Sequence, residues 1–279
     1  MLLIMTPRIE VAERPGVGLD GGVRPSEDVV VVLPNAVVLL DGATSFDPAL
    51  PSGGWYASRL AGELSGRLAG YPNTDLADLL AGAIKTVARD HELVPGRSPS
   101  STVALLRWTD TEVEGLVLAD SPIVVFGAEG PSVLADTRID TLPRKGPGYR
   151  ARLSEGGGYG ENHLVALRKA VQATANRRNV EGGFWVAEAD PDAAHQAVRA
   201  TWPRDDVNTI IMASDGVTCG VDTYGVFPDW QALLDVATTA GPETVLDRVR
   251  AAEQQDLDGK RWPRPKPHDD QALVIARFR

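Results

Sequence analysis

Short apolar runs rich in β-branched residues follow one another at hairpin-length intervals along this sequence. Residues 29–33 and 36–40 are two such runs, and only Pro34 and Asn35 separate them, which is a hairpin pattern. Turn residues also separate the next runs, which predict strands at 102–108, 113–119, 123–126 and 132–135. Gaps of this length are typical of antiparallel neighbours.

Segments with helical spacing come in pairs instead of following each strand. Apolar residues recur every three or four positions in 56–68 and again in 76–87. Further helices are predicted at 162–176, 191–200, 229–238 and 242–255, and further strands at 182–187, 207–213 and 272–278. This order predicts an α+β fold in which two packed antiparallel β-sheets are flanked by helix pairs, an α-β-β-α sandwich. Because there is no repeat, linker or break in composition, residues 1–279 are predicted to form a single domain.

The charge balance excludes several classes of partner. The chain of 279 residues has a net charge of −10, so we expect no nonspecific binding to nucleic acid or to an anionic membrane. Its single cysteine, Cys219, excludes an internal disulfide and predicts a cytoplasmic protein. The apolar run at residues 1–5 is too short for the core of a signal peptide. We expect it to begin an edge strand, and we expect no later segment to span a bilayer.

Four stretches of chain place aspartates at the ends of predicted strands. Asp41, Asp120 and Asp215 each come at the end of an apolar run, and Asp269 stands just before the last strand. Antiparallel neighbours place the end of one strand beside the beginning of the next, so all four carboxylates could meet at one edge of the sheets. An isolated Asp-Gly pair is more often an ordinary turn, and the prediction therefore rests on the ordered set.

Such a group of carboxylates favours a metal site. Clustered carboxylates repel one another and are costly to bury unpaired. A hard divalent cation removes that cost, and Mg²⁺ or Mn²⁺, held by few carboxylates and several waters, fits best. Two such ions about 3.5–4 Å apart would activate a water and clamp a phosphoryl group.

Six short segments occur in a fixed order from residue 22 to the end of the chain. In that order they are Arg24 with Glu27-Asp28, Asp41-Gly42, Ser100-Ser101-Thr102, Ala119-Asp120-Ser121, Ala213-Ser214-Asp215-Gly216 and Asp269-Asp270. The set resembles the metal-dependent protein phosphatases, the type 2C or PPM family. The resemblance implies a phosphatase of phosphoserine and phosphothreonine in proteins, in the minimal form found in bacteria.

The resemblance also implies roles for the matched residues. Asp41 would bridge two Mn²⁺ or Mg²⁺ ions, with the Gly42 carbonyl oxygen on one of them, and Asp215 and Asp269 would complete the carboxylates of the second ion. A hydroxide that bridges the ions would attack phosphorus in line, without a phosphoenzyme.

Four further matched residues would have supporting roles in such a site. Glu27 and Asp28 would hold metal-bound waters, and Asp120 would bind a weaker third ion. Arg24 would grip the substrate phosphate, because the paired donors of a guanidinium suit phosphate.

Three departures from the family pattern leave other functions open. Arg24 and Glu27 are separated by two residues where the family usually has three, residues 43–47 replace a glycine-rich run, and Ala43 stands where some members carry a histidine. One alternative is a catalytically inactive pseudophosphatase that keeps the fold as a binding module. Another is a phosphatase of a small phosphorylated metabolite.

Residues 143–180 lie where the family carries its variable flap. Residues 143–161 are rich in Gly, Pro and Arg, which predicts a mobile loop. The segment as a whole holds eight basic residues, Arg144, Lys145, Arg150, Arg152, Arg168, Lys169, Arg177 and Arg178. They indicate either recognition of a phosphorylated partner beside the site or an ordinary solvated face.

Overall fold

Two five-stranded sheets lie at the centre of the computed structural model, which describes residues 6–143 and 148–278. The first sheet has the spatial order β2 (Asp28–Leu33), β3 (Ala36–Asp41), β4 (Val103–Trp108), β5 (Glu112–Leu118) and β8 (Val198–Pro203). The second has the order β1 (Arg8–Arg14), β10 (Gln271–Arg277), β9 (Thr209–Ala213), β6 (Ile123–Gly127) and β7 (Gly130–Leu134). All strand pairs in both sheets are antiparallel.

Helices cover the outer faces of both sheets. On the first sheet lie α1 (Gly53–Gly70) and α2 (Leu76–Asp90). Two further helices, α3 (Gly148–Ser154) and α4 (Glu161–Ala175), pack on each other. On the second sheet lie α5 (Asp215–Asp222), α6 (Trp230–Ala240) and α7 (Pro242–Gln254). The α-β-β-α sandwich predicted from the sequence is confirmed.

The central strands are apolar on both faces because each sheet is covered on both sides. In β3, Val37 and Leu39 point into the core between the sheets, whereas Val38 and Leu40 point towards α1 and α2. All four side chains are fully buried. A strand buried on both faces loses the polar–apolar alternation, which explains the continuous apolar run in the sequence.

Two predicted elements are wrong. Residues 182–187 form no strand; Phe184 and Ala187 make only isolated bridges. Residues 191–200 form no α-helix; a 3₁₀ turn, Pro191–Gln196, leads directly into β8. In β8 half-buried residues alternate with exposed ones, and the strand pairs with the free edge of β5, which would otherwise leave its backbone groups unpaired.

The remaining expectations have mixed outcomes. Helix α3 lies inside the segment predicted as a loop, and the strand expected at residues 1–5 falls outside the described residues, as do Arg144 and Lys145. Within residues 6–143 and 148–278, none of the helices combines the length and apolar character that crossing a bilayer requires.

Candidate metal centre

Strand ends from both sheets bring the predicted site residues together at one end of the sandwich. Asp41 is the last residue of β3, and Asp28, the first of β2, lies directly opposite it in the strand register. Asp120 follows β5, Asp215 is the first residue of α5 after β9, and Asp269 precedes β10. Because neighbours in each sheet are antiparallel, the end of one strand meets the start of the next, as the sequence predicted.

Backbone hydrogen bonds fix the position of Asp41. Its N–H donates to Thr102 Oγ1 at 3.1 Å, and its carbonyl oxygen accepts from Ser101 Oγ at 2.9 Å and from the N–H of Thr102 at 2.9 Å. The Thr102 hydroxyl in turn lies 2.7 Å from that of Ser121. Two matched segments, at 100–102 and 119–121, therefore act as supports for the strand end that carries Asp41.

Two glycines of the matched segments allow close backbone approaches. A Cβ on Gly42 would overlap the backbone of Gly53, at the start of α1, and one on Gly216 would overlap the carbonyl oxygen of Asp270. These positions need glycine because no side chain fits there. At residue 119 the backbone also favours glycine, because φ is +68°. Here, however, the sequence has alanine.

The carboxylates of the site raise one another's pKa. Burial, followed by the charges of Asp28, Asp215 and Asp269, raises the pKa of Asp41 well above its usual value. Asp215 is open to the cavity, but the protein around it and the charges of Asp269 and Asp120 also raise its pKa well above the usual range. Burial similarly raises the pKa of Asp120.

Asp28 makes no well-formed hydrogen bond through its carboxylate to any described residue, although Ser214 and Asp41 lie close enough to offset part of the rise in pKa that burial causes. Its side chain is buried, and neither carboxylate oxygen has a hydrogen-bond partner among the described residues. Burial, with the nearby charges of Asp269 and Asp270, raises its pKa to about 7. Leaving a charged oxygen pair buried and unpartnered is costly, and a divalent cation or its bound waters would supply the missing partners.

The donor chemistry of the site thus fits a hard divalent cation, but the side chains do not converge on one point. Within the described ranges, no three His, Cys, Asp or Glu side chains lie close enough together to hold one ion. Binding an ion therefore requires the carboxylates to rotate towards it.

Two cations contact part of the acidic group. Lys266 Nζ lies 2.6 Å from Asp269 Oδ1 and 3.6 Å from Asp270 Oδ2. Burial alone would lower the pKa of Lys266, but the charge and hydrogen bond of Asp269 outweigh it and raise the pKa above its usual value. The side chain is therefore an ammonium ion at neutral pH. Sequence reasoning missed Lys266, and its only signal was a lysine three residues before a predicted ligand.

Arg24 lies at the edge of the same group. Its Nη2 is 2.6 Å from Glu27 Oε2, 3.3 Å from Asp270 Oδ2 and 3.4 Å from Thr44 Oγ1. The Thr44 hydroxyl also donates to Glu27 Oε2 at 2.9 Å. The spacing of two residues between Arg24 and Glu27 is thus compatible with a direct ion pair. Arg24 does not line either of the two cavities described next.

Two cavities, of about 650 and 820 Å³, open onto the acidic group. Asp120, Asp215, Lys266 and Asp269 line both of them. Asp41 and Gly42 line the larger cavity only. Apolar side chains also line that cavity, among them Phe46, Leu142, Tyr149, Leu167 and Val171.

The loop between α7 and β10 is held by a buried arginine. Arg264 donates to Asp256 Oδ2 at 2.9 Å, to the Asp256 carbonyl at 2.7 Å and to the Pro267 carbonyl at 3.0 Å. Burial would raise the pKa of Asp256, but backbone N–H donors and Arg264 together hold it below its usual value. This network fixes the loop that carries Lys266.

Glu253 and His268 form a second buried contact behind the site. His268 Nδ1 lies 3.0 Å from Glu253 Oε2, and Arg250 Nε lies 3.3 Å from the same oxygen. Burial raises the pKa of Glu253 to about 7, and burial with the charge of Arg250 lowers that of His268 to about 4. Arg250 also donates to the carbonyl of Asp269 at 2.9 Å, so this group supports the backbone of a predicted ligand.

In EDTA, Asp28→Asn is expected to stabilise the protein more at pH 8 than at pH 4. Between the ordinary pKa of 3.8 and the folded value of about 7, the folded state binds the Asp28 proton more tightly. Wild-type stability is therefore lost as the pH rises through this range and levels off above it. The variant has no such carboxylate, so its free energy of unfolding should exceed that of wild type by an amount that grows with pH to at most about 4 kcal/mol. Urea unfolding of both proteins at several pH values measures the difference, and an advantage independent of pH would contradict the raised pKa.

Known structures align with this chain over nearly its whole length, although no protein-family model and no curated protein matches its sequence. The PPM Ser-Thr phosphatase MsPP from Mycobacterium smegmatis, in complex with cacodylate, is 14% identical, with 97% of each chain covered and a TM-score of 0.55. Stp1, a serine/threonine phosphatase from Staphylococcus aureus, is 14% identical over 99% of this chain and 97% of its own, with a TM-score of 0.55. The catalytic domain of the phosphatase PstP, in complex with two manganese ions, is 13% identical, with 97% of each chain covered and a TM-score of 0.55. The chain has the fold of the PPM serine/threonine phosphatases.

In this PPM fold, α3 and α4 occupy the segment that the sequence assigned to a flap. Several of its basic side chains make contacts within the protein. Arg150 donates to the Pro263 carbonyl at 2.8 Å, Arg152 to the Gly158 carbonyl at 2.7 Å, and Arg178 Nη1 lies 3.8 Å from Glu188. These arginines therefore have structural partners.

Proposed function

We propose that the chain is a metal-dependent phosphatase that hydrolyses phosphoserine and phosphothreonine in proteins. One observation carries the proposal. On a PPM fold, strand ends from both sheets bring five aspartates together beside two cavities, and one of them, Asp28, has both oxygens buried without a partner. Such a group is costly without a cation.

The proposed ligands are those that the sequence singled out. Asp41, the Gly42 carbonyl, Asp215 and Asp269 would hold two Mn²⁺ or Mg²⁺ ions. Glu27 and Asp28 would accept hydrogen bonds from their waters, and Asp120 would take a weaker third ion. When bound, such ions supply an activated water and neutralise charge on the phosphoryl group.

The chain's own groups would position the substrate. Arg24 is the proposed phosphate-binding cation. Its Nη2 is held by Glu27 and it lines neither cavity, so it would have to turn towards the carboxylates to reach a phosphate. The larger cavity is lined by apolar side chains as well as by the carboxylates, and a phosphorylated residue within a peptide would place its neighbours against those apolar side chains. We favour a protein substrate over a small metabolite for this reason.

A pseudophosphatase is the second candidate, and two observations favour it. Lys266 already pairs with Asp269, and the carboxylates do not converge on a single point as they stand. A binding module with the PPM fold would tolerate both features.

We further propose that residues 1–279 act as one catalytic domain in the cytoplasm, with 143–180 as a flap beside the site. The single cysteine, Cys219, supports a location in the cytoplasm. The packing of Tyr149 and Leu153 against Leu167 supports a flap that acts as a unit.

Hydrolysis of p-nitrophenyl phosphate and of a phosphothreonine peptide tests the proposal, each with Mn²⁺, Mg²⁺ or EDTA. We expect metal-dependent turnover of both substrates, reduced at least about 100-fold in Asp215→Asn, because even groups that only support a metal ligand contribute 10–100-fold. Asp110→Asn, in an exposed turn, is the matched control and should keep full activity. Turnover of the small substrate alone would indicate a metabolite phosphatase. No turnover with Mn²⁺ still bound would indicate a pseudophosphatase.

A further inference from the structure

Lys266 is a buried cation beside Asp269 and Asp270, on one side of the acidic group. Its side chain is 5% exposed, and its Nζ contacts Asp269 at 2.6 Å and Asp270 at 3.6 Å. The loop that carries it is fixed by the hydrogen bonds of Arg264, at 7% exposure. The ammonium is therefore held in place next to a proposed metal ligand.

The Asp41 side and the Asp269 side of the proposed centre differ in whether a cation of the protein already contacts the carboxylates. Within the described part of the chain, the ion pairs of the proposed ligands involve Glu27, which pairs with Arg24, and Asp269, which pairs with Lys266. Asp41 and Asp28 have like-charged neighbours instead, whereas Asp215, which would share the second ion with Asp269, also has the charge of Lys266 near it. An ion at Asp41 would meet unneutralised carboxylates, whereas an ion at Asp269 would have to displace or share an oxygen with an ammonium.

We propose that Lys266 is a built-in cation of the metal centre, which competes with a divalent ion for Asp269 and weakens ion binding there. This inference rests on the proposed function, because it concerns the same ions. It predicts that the ion on the Asp269 side binds with the lower affinity of the two. Charge repulsion and a lost carboxylate oxygen both act in this direction.

Calorimetric titration of the metal-free protein with Mn²⁺ tests the competition. Lys266→Met removes the charge at similar length, and Lys266→Gln keeps a hydrogen-bond donor for Asp269 in case the first variant folds poorly. Lys260→Met, exposed on the same loop, is the matched control. We expect the weaker Mn²⁺ step to tighten at least about tenfold in both Lys266 variants, and the Lys260 variant to match wild type.

Unchanged or weaker Mn²⁺ binding in both Lys266 variants would overturn the inference. If Mn²⁺ binding is unchanged in the variants but wild type shows Mn²⁺-dependent hydrolysis, the proposed function stands and only the competition by Lys266 is wrong. If neither wild type nor the variants bind Mn²⁺, both fail together. Melting temperatures with and without Mn²⁺ give an independent readout, since the increase on adding Mn²⁺ should be larger in the Lys266 variants.

Discussion

Replacing Asp41 with asparagine is expected to abolish metal-dependent hydrolysis and to raise the melting temperature of the metal-free protein. Asp41 is the proposed bridging ligand, so activity should fall by more than the roughly 100-fold that a supporting residue contributes. The stability gain follows from repulsion. Burial and the charges of Asp28, Asp215 and Asp269 hold the pKa of Asp41 well above its usual value, so its ionised form destabilises the fold at neutral pH.

Loss of hydrolysis together with a higher melting temperature distinguishes a functional residue from a structural one. A residue retained for packing would lose stability on substitution, whereas a strained ligand should gain it. We expect an increase of at least ~2 °C in EDTA, measured by differential scanning fluorimetry beside the hydrolysis assay. Mn²⁺ should stabilise wild type and leave the variant unchanged. Retained activity, or a lower melting temperature in EDTA, would contradict the role given to Asp41.

Replacing Arg264 with methionine should cause the largest loss of stability. The guanidinium binds Asp256 at 2.9 Å and the carbonyls of residues 253, 256, 262 and 267. Removing it leaves the buried Asp256 carboxylate without its counter-charge, bonded only to the N–H groups of Arg261 and Trp262, and leaves several carbonyls unpaired. Losing one partner of a buried ion pair costs about 3–5 kcal/mol.

Urea unfolding in EDTA measures this cost without interference from bound ions. Arg248→Met, on the exposed side of α7, removes the same charge from the surface and should change stability by less than about 0.5 kcal/mol. If Arg264→Met were as stable as this control, the loop would not depend on the network described for it.

The sandwich was predictable because its signal is local. The hairpin of residues 29–40 and the paired helices show their periodicity in the sequence. Antiparallel pairing then brings the ends of neighbouring strands, with the aspartates they carry, to the same edge of a sheet. Antiparallel pairing brings Asp215 and Asp269 to one edge of the second sheet, and the packing of the two sheets brings that edge beside Asp41.

The errors occurred where long-range contacts decide the structure. Residues 198–203 form β8 because the edge of β5 needs a partner, which no local pattern reveals. Lys266 was missed for a similar reason. Prolines flank it on both sides in the sequence and give no sign of a site. Only the folded loop brings its ammonium group into contact with Asp269.

Anomalous diffraction at the manganese edge, from crystals grown with Mn²⁺, tests the metal centre most directly. Two peaks are predicted, about 3.5–4 Å apart, with Asp41 contacting both and with Asp215 and Asp269 on the second. The absence of a peak beside Asp41 in crystals containing saturating Mn²⁺ would contradict the metal centre and, with it, the proposed phosphatase.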